Sequence, residues 1–289
     1  MKHKASPRLM LITSMLIWGT LGIFVRNIPV ASGELALYRA AMAAGVIGTV
    51  LAVTGQKIDF AAIKKELPLL LFSGVAMGFN WILLFEAYKY TTVSIATLSY
   101  YFALVIVILV CPILFKEKMT GRQVLCFAMS TLGIVMITGI GDANGSKNML
   151  GIALGLGAAM LYATVILLNK FIKNVEGIHR TFLQFVAAVA VLLPYVLMTS
   201  GINLGGLNAF GWANLLVVGL VHSGLAYCLY FPSLKELPGQ KAAILSYIDP
   251  LVAVLVSVTV LGESMTLPQA VGGMLTLGFT LYNELTPKK

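Results

Sequence analysis

Charge is what this chain has least of. Only 11% of its 289 residues are charged, and Asp and Glu together number 11 against 20 Lys and Arg. With 59% hydrophobic residues and a mean hydropathy of +0.92, there is too little polar surface to cover a soluble globule of this length. Histidine and cysteine are also scarce, at three each. Cys111, Cys126 and Cys228 fall within or at the edge of apolar stretches without metal-type spacing, so they are expected to be small packing residues. Neither a metal site nor a cofactor motif is expected, and no H-E-x-x-H or paired-acid pattern supports catalysis.

What is abundant is long apolar sequence. Ten stretches have about the length needed to cross a hydrocarbon core as helices: 8–27, 34–54, 67–88, 94–114, 121–139, 149–170, 180–200, 211–231, 241–261 and 267–284. The first follows a basic start and resembles a signal peptide. Removing it would leave an odd set and break the repeat described below, so it is taken as the first helix. The expected fold is therefore an all-α integral membrane protein.

The excess of basic residues does not point to nucleic acid, because it is sorted by side. If the N-terminus marks side one, that side collects 16 Lys and Arg, among them Lys64, Lys65, Arg122, Lys170, Arg180 and Lys235, while the other holds only Arg26, Lys89 and Lys147. The positive-inside rule then places both termini in the cytoplasm.

The chain also repeats itself. Glu117-Lys-Met-Thr120 with Gln123 recurs 146 residues later as Glu263-Ser-Met-Thr266 with Gln269. The same offset pairs Tyr101 with Tyr247 and Ala96 with Ala242, and a slightly shorter one pairs Thr20 with Thr164. Residues 1–140 and 149–289 are expected to be two five-helix units, joined by a turn-rich linker at 141–148. Five is odd, so the second unit must enter the bilayer from the opposite side, the inverted-repeat design of many carriers. Thr120 with Gln123 and Thr266 with Gln269 fit the capping-box pattern, which makes helix starting the expected duty of the repeated element, with Glu117 and Glu263 favoured near the helix dipole. Small residues such as Gly151, Gly155, Gly157, Gly272, Gly273 and Gly278 suit close helix packing, within one chain or between copies. A monomer or a weak homodimer is expected.

Ionisable residues at membrane depth are expensive and so mark candidate sites. Asp249 precedes Pro250, which removes a backbone donor and kinks the helix. Asp249 is a candidate for proton coupling or for a cationic or hydroxyl group of a substrate; the structural alternative is a neutral carboxyl bonded to a neighbouring helix. His222, beside Ser223 and Gly224, is a second proton-coupling candidate or else a buried hydrogen-bond partner. Arg39 is left between a pairing with Glu34 or Glu86 and the attraction of an anion. Aromatic and polar residues of comparable depth, namely Trp18, Asn80, Trp81, Tyr100, Tyr101, Tyr162, Tyr227 and Tyr247, form the remaining substrate-binding candidates.

With Trp18-Gly19 in the first helix, Arg39 in the second and the Pro250 to Gly262-Glu263 spacing in the ninth, the doubled ten-helix pattern resembles the EamA family of the drug/metabolite transporter superfamily over essentially the whole chain. The resemblance implies a multi-pass bacterial inner-membrane carrier of a small metabolite that is amino acid-like, amphipathic or drug-like, more often moved outward. It also implies alternating access around a cavity between the halves, lined from helices three, four, eight and nine, with helices five and ten packed together. Leu104 replaces the proline that the doubled motif would place there, and Lys116 replaces the glycine before Glu117. The expected partners are a small-molecule substrate, the lipid bilayer and a proton as candidate co-substrate, with no nucleic acid. Import or passive facilitation of a polar or cationic nutrient is the alternative; a membrane scaffold or an intramembrane enzyme is more remote.

Overall fold

The structure, a computed structural model, describes residues 6–56, 60–114, 119–137, 145–175, 177–237 and 239–285. Among them there is no strand. That is the physical expectation for apolar sequence, because a helix satisfies its own backbone hydrogen bonds where lipid offers none.

The helices are α1 (Pro7–Gly19), α2 (Leu21–Arg26), α3 (Ser32–Val53), α4 (Phe60–Tyr90), α5 (Val93–Leu114), α6 (Gly121–Ile137), α7 (Gly145–Phe171), α8 (Gly177–Thr199), α9 (Ala209–Leu216), α10 (Ala226–Glu236), α11 (Gly239–Ser246), α12 (Ile248–Thr259) and α13 (Leu267–Leu285). A π-helical segment, Val217–Leu225, joins α9 to α10 in one continuous run. Seven helical runs are long and apolar enough to cross a membrane: Pro7–Arg26, Ser32–Val53, Ile63–Tyr90, Val93–Leu114, Asn148–Phe171, Gly177–Thr199 and Ala209–Glu236. Gly121–Ile137 and Ile244–Thr259 are apolar but shorter. The one remaining marked stretch is helical as well, as the 19-residue α13.

The helix breaks follow from local chemistry. Pro250 has no N–H to offer the carbonyl of Ser246, and the helix is interrupted at Tyr247 between α11 and α12. The first half has Leu104 at the matching place, and α5 runs through it without interruption. Both capping boxes form. Thr120 N donates to Gln123 Oε1 at 2.8 Å and Thr266 N to Gln269 Oε1 at 2.9 Å, while each Gln backbone N–H is answered by the Thr hydroxyl.

Repeat-equivalent helices meet antiparallel. In the α6 and α13 pair, Cys126 Sγ donates to the Phe279 carbonyl, Ser130 Oγ to that of Thr276, and Gly133 lies against Gly272, so rising numbers in one helix meet falling numbers in the other. Ser130 and Thr276 are themselves 146 residues apart, the offset of the repeat. Thr276 Oγ1 returns the contact, 3.3 Å from the Ser130 carbonyl. The α3 and α8 pair runs the same way, with Gly33 against Tyr195 and Gly48 against Phe182. Such pairing is what a pseudo-twofold axis between inverted units produces.

The glycine stripes act within the chain. Gly151 faces Thr91, Gly155 faces Ser99 and Gly157 faces Leu83, drawing α7 onto α4 and α5. Gly278 has nothing within 4 Å of an added Cβ. The largest core cluster joins α3, α4 and α8 around the buried Phe85 and Phe185. Residues 141–144 of the expected linker lie outside the described residues, as do Lys116, Glu117 and Lys118, while 145–148 are the first turn of α7.

Candidate functional site

A cavity of about 290 Å³ lies between the halves. Its wall takes in Trp18 and Gly19 from α1, Arg39 from α3, Asn80 and Trp81 from α4, Tyr100 and Tyr101 from α5, Tyr162 from α7, Tyr227 and Tyr230 from α10, and Asp249 from α12. That volume sits at the lower edge of the roughly 300–1,000 Å³ range of small-molecule pockets. It suits a metabolite rather than a macromolecule.

Asp249 owes its position to the helix break. The interruption at Tyr247 makes it a first-turn residue of α12, where the free backbone amides and the dipole favour a carboxylate. Its Oδ2 accepts a hydrogen bond from the hydroxyl of Tyr101, which comes from α5 in the other half. This hydrogen bond therefore links the two units inside the cavity.

The π-helical segment positions Arg39. In it, the hydroxyl of Ser223 donates to the carbonyl five residues back, that of Val218, at 3.0 Å, and His222 Nδ1 lies 3.2 Å from the Val217 carbonyl. Gly219 and Gly224 let α3 come close, against Met42 and Val46. Arg39 of α3 then donates from Nε to Ser223 Oγ at 2.6 Å, with its guanidinium carbon 4.4 Å from the centre of the Trp81 ring.

Aromatic rings complete the wall. Trp18 donates from Nε1 to the His222 carbonyl at 2.7 Å and packs edge-on to Tyr227 with centroids 4.9 Å apart. Tyr100 stacks on Tyr162 at 5.0 Å. Asn80 donates to the Ala158 carbonyl at 2.6 Å and so ties α4 to α7. Polar groups cluster toward the ends of α7 and α8, where Gln184 Nε2 donates to Asn169 Oδ1 at 2.8 Å and Arg180 Nη1 to the Asn169 carbonyl.

The opposite end is closed. Gly22 is pressed against Val93, so that a Cβ there would stand 2.5 Å from Val93 Cγ1. Arg26 donates to the carbonyls of Tyr88 and Thr91 at the end of α4 and forms an ion pair with Glu263. Glu263 also accepts from the Val93 backbone N–H at 2.8 Å and from the Ser257 hydroxyl. It therefore caps α5 of the other half rather than its own helix α13.

Half of this arrangement is present at the other end. Lys170 Nζ donates to Cys111 Sγ at 2.9 Å, and these residues are the repeat counterparts of Arg26 and Ser257. Glu117, the counterpart of Glu263, lies outside the described residues.

The model of the EamA-like transporter family matches residues 6–139 and again 149–283. The chain belongs to this family. It is a multi-pass integral membrane protein built from two EamA units. Among its relatives, the uncharacterized transporter YxxF of Bacillus subtilis is 29% identical over 273 residues, covering 94% of this chain and 87% of that protein. An uncharacterized transporter of Archaeoglobus fulgidus is 28% identical over 285 residues, covering 94% and 93%. A solved crystal structure superposes with a TM-score of 0.66 at 16% identity, covering 96% of this chain and 97% of its own, which shows the shared fold.

Within this EamA fold, eight of the ten candidate residues line the cavity: Trp18, Asn80, Trp81, Tyr100, Tyr101, Tyr162, Tyr227 and Asp249. His222 and Tyr247 are not in its lining. His222 is buried behind it, with Nε2 3.1 Å from the Thr20 hydroxyl, and its carbonyl rather than its ring reaches a lining residue. Tyr247 packs with Ile95, Leu98 and Ile137 at the contact of the halves. Sequence reasoning missed Ser223 as the partner of Arg39, the Gln184 and Asn169 cluster, and the Arg26 to Glu263 closure. Only the last had a legible signal, since Arg26 and Lys170 share the 144-residue offset that relates Thr20 to Thr164.

Proposed function

We propose that this chain is a secondary carrier that moves a small amino acid-like or amphipathic metabolite, in the outward direction, by rocking one five-helix half against the other. The observation that carries this reading is the cavity itself. Residues from both halves meet around one ionisable acid, Asp249, held by Tyr101 across the divide. All ten marked stretches cross the membrane in this reading, residues 1–140 and 149–289 form the two moving units, and the basic residues put both termini in the cytoplasm.

With that orientation, the lining that runs to Asn169, Arg180 and Leu234 faces the cytoplasm, and the end sealed by Arg26 and Glu263 faces outward. A cavity reaching toward the cytoplasm suits loading of an exported solute. Reconstituted into liposomes, the protein is expected to move such a solute faster than protein-free membranes do.

Asp249 is the acid a permeating proton would meet in the cavity, so flux is expected to respond to an imposed pH gradient, and Asp249→Asn to remove that response. His222→Gln should leave the response in place, because the His222 ring is not in the lining. Equal rates with and without the gradient would instead assign a passive facilitator.

The outer closure gives a further expectation. In a variant whose native cysteines are replaced by serine, Val93→Cys is buried beneath the Arg26 to Glu263 pair and should react slowly with a membrane-impermeant maleimide applied from outside. Adding Arg26→Gln removes the partner of a buried carboxylate, and labelling should speed up several-fold. An unchanged labelling rate would remove these two residues from the closure.

A further inference from the structure

Arg39 is a cation at membrane depth, and among the described residues most of its donors have no partner. Its residue exposure is 4%, it lines the cavity, and among the described residues its only hydrogen bond runs from Nε to Ser223. Neither of the acids that sequence offered as partners serves it. Glu34 accepts from the Tyr38 hydroxyl at 2.6 Å and from the backbone and side chain of Asn203, and Glu86 accepts from Ser32 and Lys89. No carboxylate lies within ion-pair distance of Arg39 among the described residues.

A guanidinium has five N–H donors arranged as a fork that fits a carboxylate with two parallel bonds. Here one donor is taken by Ser223 and one face is covered by Trp81, with Phe85 beyond, its centroid 5.7 Å from Cζ. Both contacts hold the plane of the group. Neither neutralises its charge, and the Nη donors remain for something in the cavity.

We propose that Arg39 is the anchor for a carboxylate on the transported solute, bound through its Nη donors. This rests on the carrier reading above. Asp249 lines the same cavity and makes it unfavourable to a phosphate-like dianion, whereas a monocarboxylate that also carries an amine places opposite charges on both residues. The surrounding rings select an apolar remainder, and Ser223 and Trp81 act as positioning residues for the guanidinium.

Two matched pairs of probes test the assignment on the purified full chain, read as thermal stabilisation over a titration: benzoate against benzamide, and L-phenylalanine against L-phenylalaninamide. The acid of at least one pair should bind roughly tenfold or more tightly than its amide, the value of a charge-assisted bond. Arg39→Lys should keep a weaker preference and Arg39→Gln should lose it. The wild-type comparison decides the matter even where Arg39→Gln does not fold. Equal binding of acid and amide in both pairs, or no response to either acid, overturns the anchor. Flux without acid preference would remove this inference and leave the carrier, while acid-selective binding without flux would remove the carrier and keep the anchor.

Discussion

Asp249→Asn is expected to lower solute flux in proteoliposomes by roughly ten- to a hundredfold, the equivalent of one lost charge-assisted interaction of about 1.5–3 kcal/mol. The substitution keeps the size of the side chain and lets the Tyr101 hydroxyl retain an acceptor, so the helix junction should survive. What it removes is the negative charge at the start of α12 and the only Asp or Glu in the cavity lining among the described residues. Thermal unfolding of the variant should stay close to the parent while flux falls. Tyr101→Phe separates the two parts of the contact, because it leaves the carboxylate and deletes its donor. Its flux should fall less than that of Asp249→Asn, and an equal fall would mean that the link between the halves matters more than the charge.

Gly272→Val should have the largest effect on stability. A Cβ added at Gly133 would stand 2.5 Å from the Gly272 carbonyl oxygen, and one at Gly272 would collide in the same way with the carbonyl of Gly133. Backbone cannot rotate aside as a side chain does. The helices α6 and α13 must separate, losing the Ser130 and Thr276 contacts beside the crossing. Overpacking of a tight contact costs about 1–3 kcal/mol, and two backbones in direct contact put this site at the upper end. A clear drop in the unfolding temperature in detergent checks it, with Gly278→Val as the control because a Cβ added there meets no neighbouring helix within 4 Å. Equal losses for the two variants would contradict the crossing as described.

The fold was legible because its strongest signals are local or periodic. Apolar length marked the helices, the capping boxes fixed the starts of α6 and α13, and the repeated segment gave a register that Ser130 and Thr276 follow in space. Pro250 announced the break that exposes Asp249, and Leu104 announced its absence in α5.

The site was less legible because depth in the membrane does not tell which way a side chain faces. His222 and Tyr247 have suitable depth, yet one braces the π-helical segment and the other packs where the halves meet. Arg39 was left between a pairing with Glu34 or Glu86 and the attraction of an anion. Its actual partner, Ser223, lies 184 residues away and is brought to it by the π-helical segment, which no short-range pattern encodes. The Arg26 to Glu263 closure spans the two repeats as well; the shared offset of Arg26 and Lys170 marks the cation, but the pairing itself becomes visible only when the halves are docked.

A solute that crosses the membrane through the cavity between the halves must leave loaded vesicles faster than lipid alone allows. The most direct measurement loads proteoliposomes with an isotope-labelled amino acid mixture and follows release by mass spectrometry, with protein-free liposomes and the Asp249→Asn protein in parallel. At least one component should leave faster than from protein-free liposomes, and this excess should fall sharply in Asp249→Asn. No excess release of any component, or the same excess in the variant, would contradict that route.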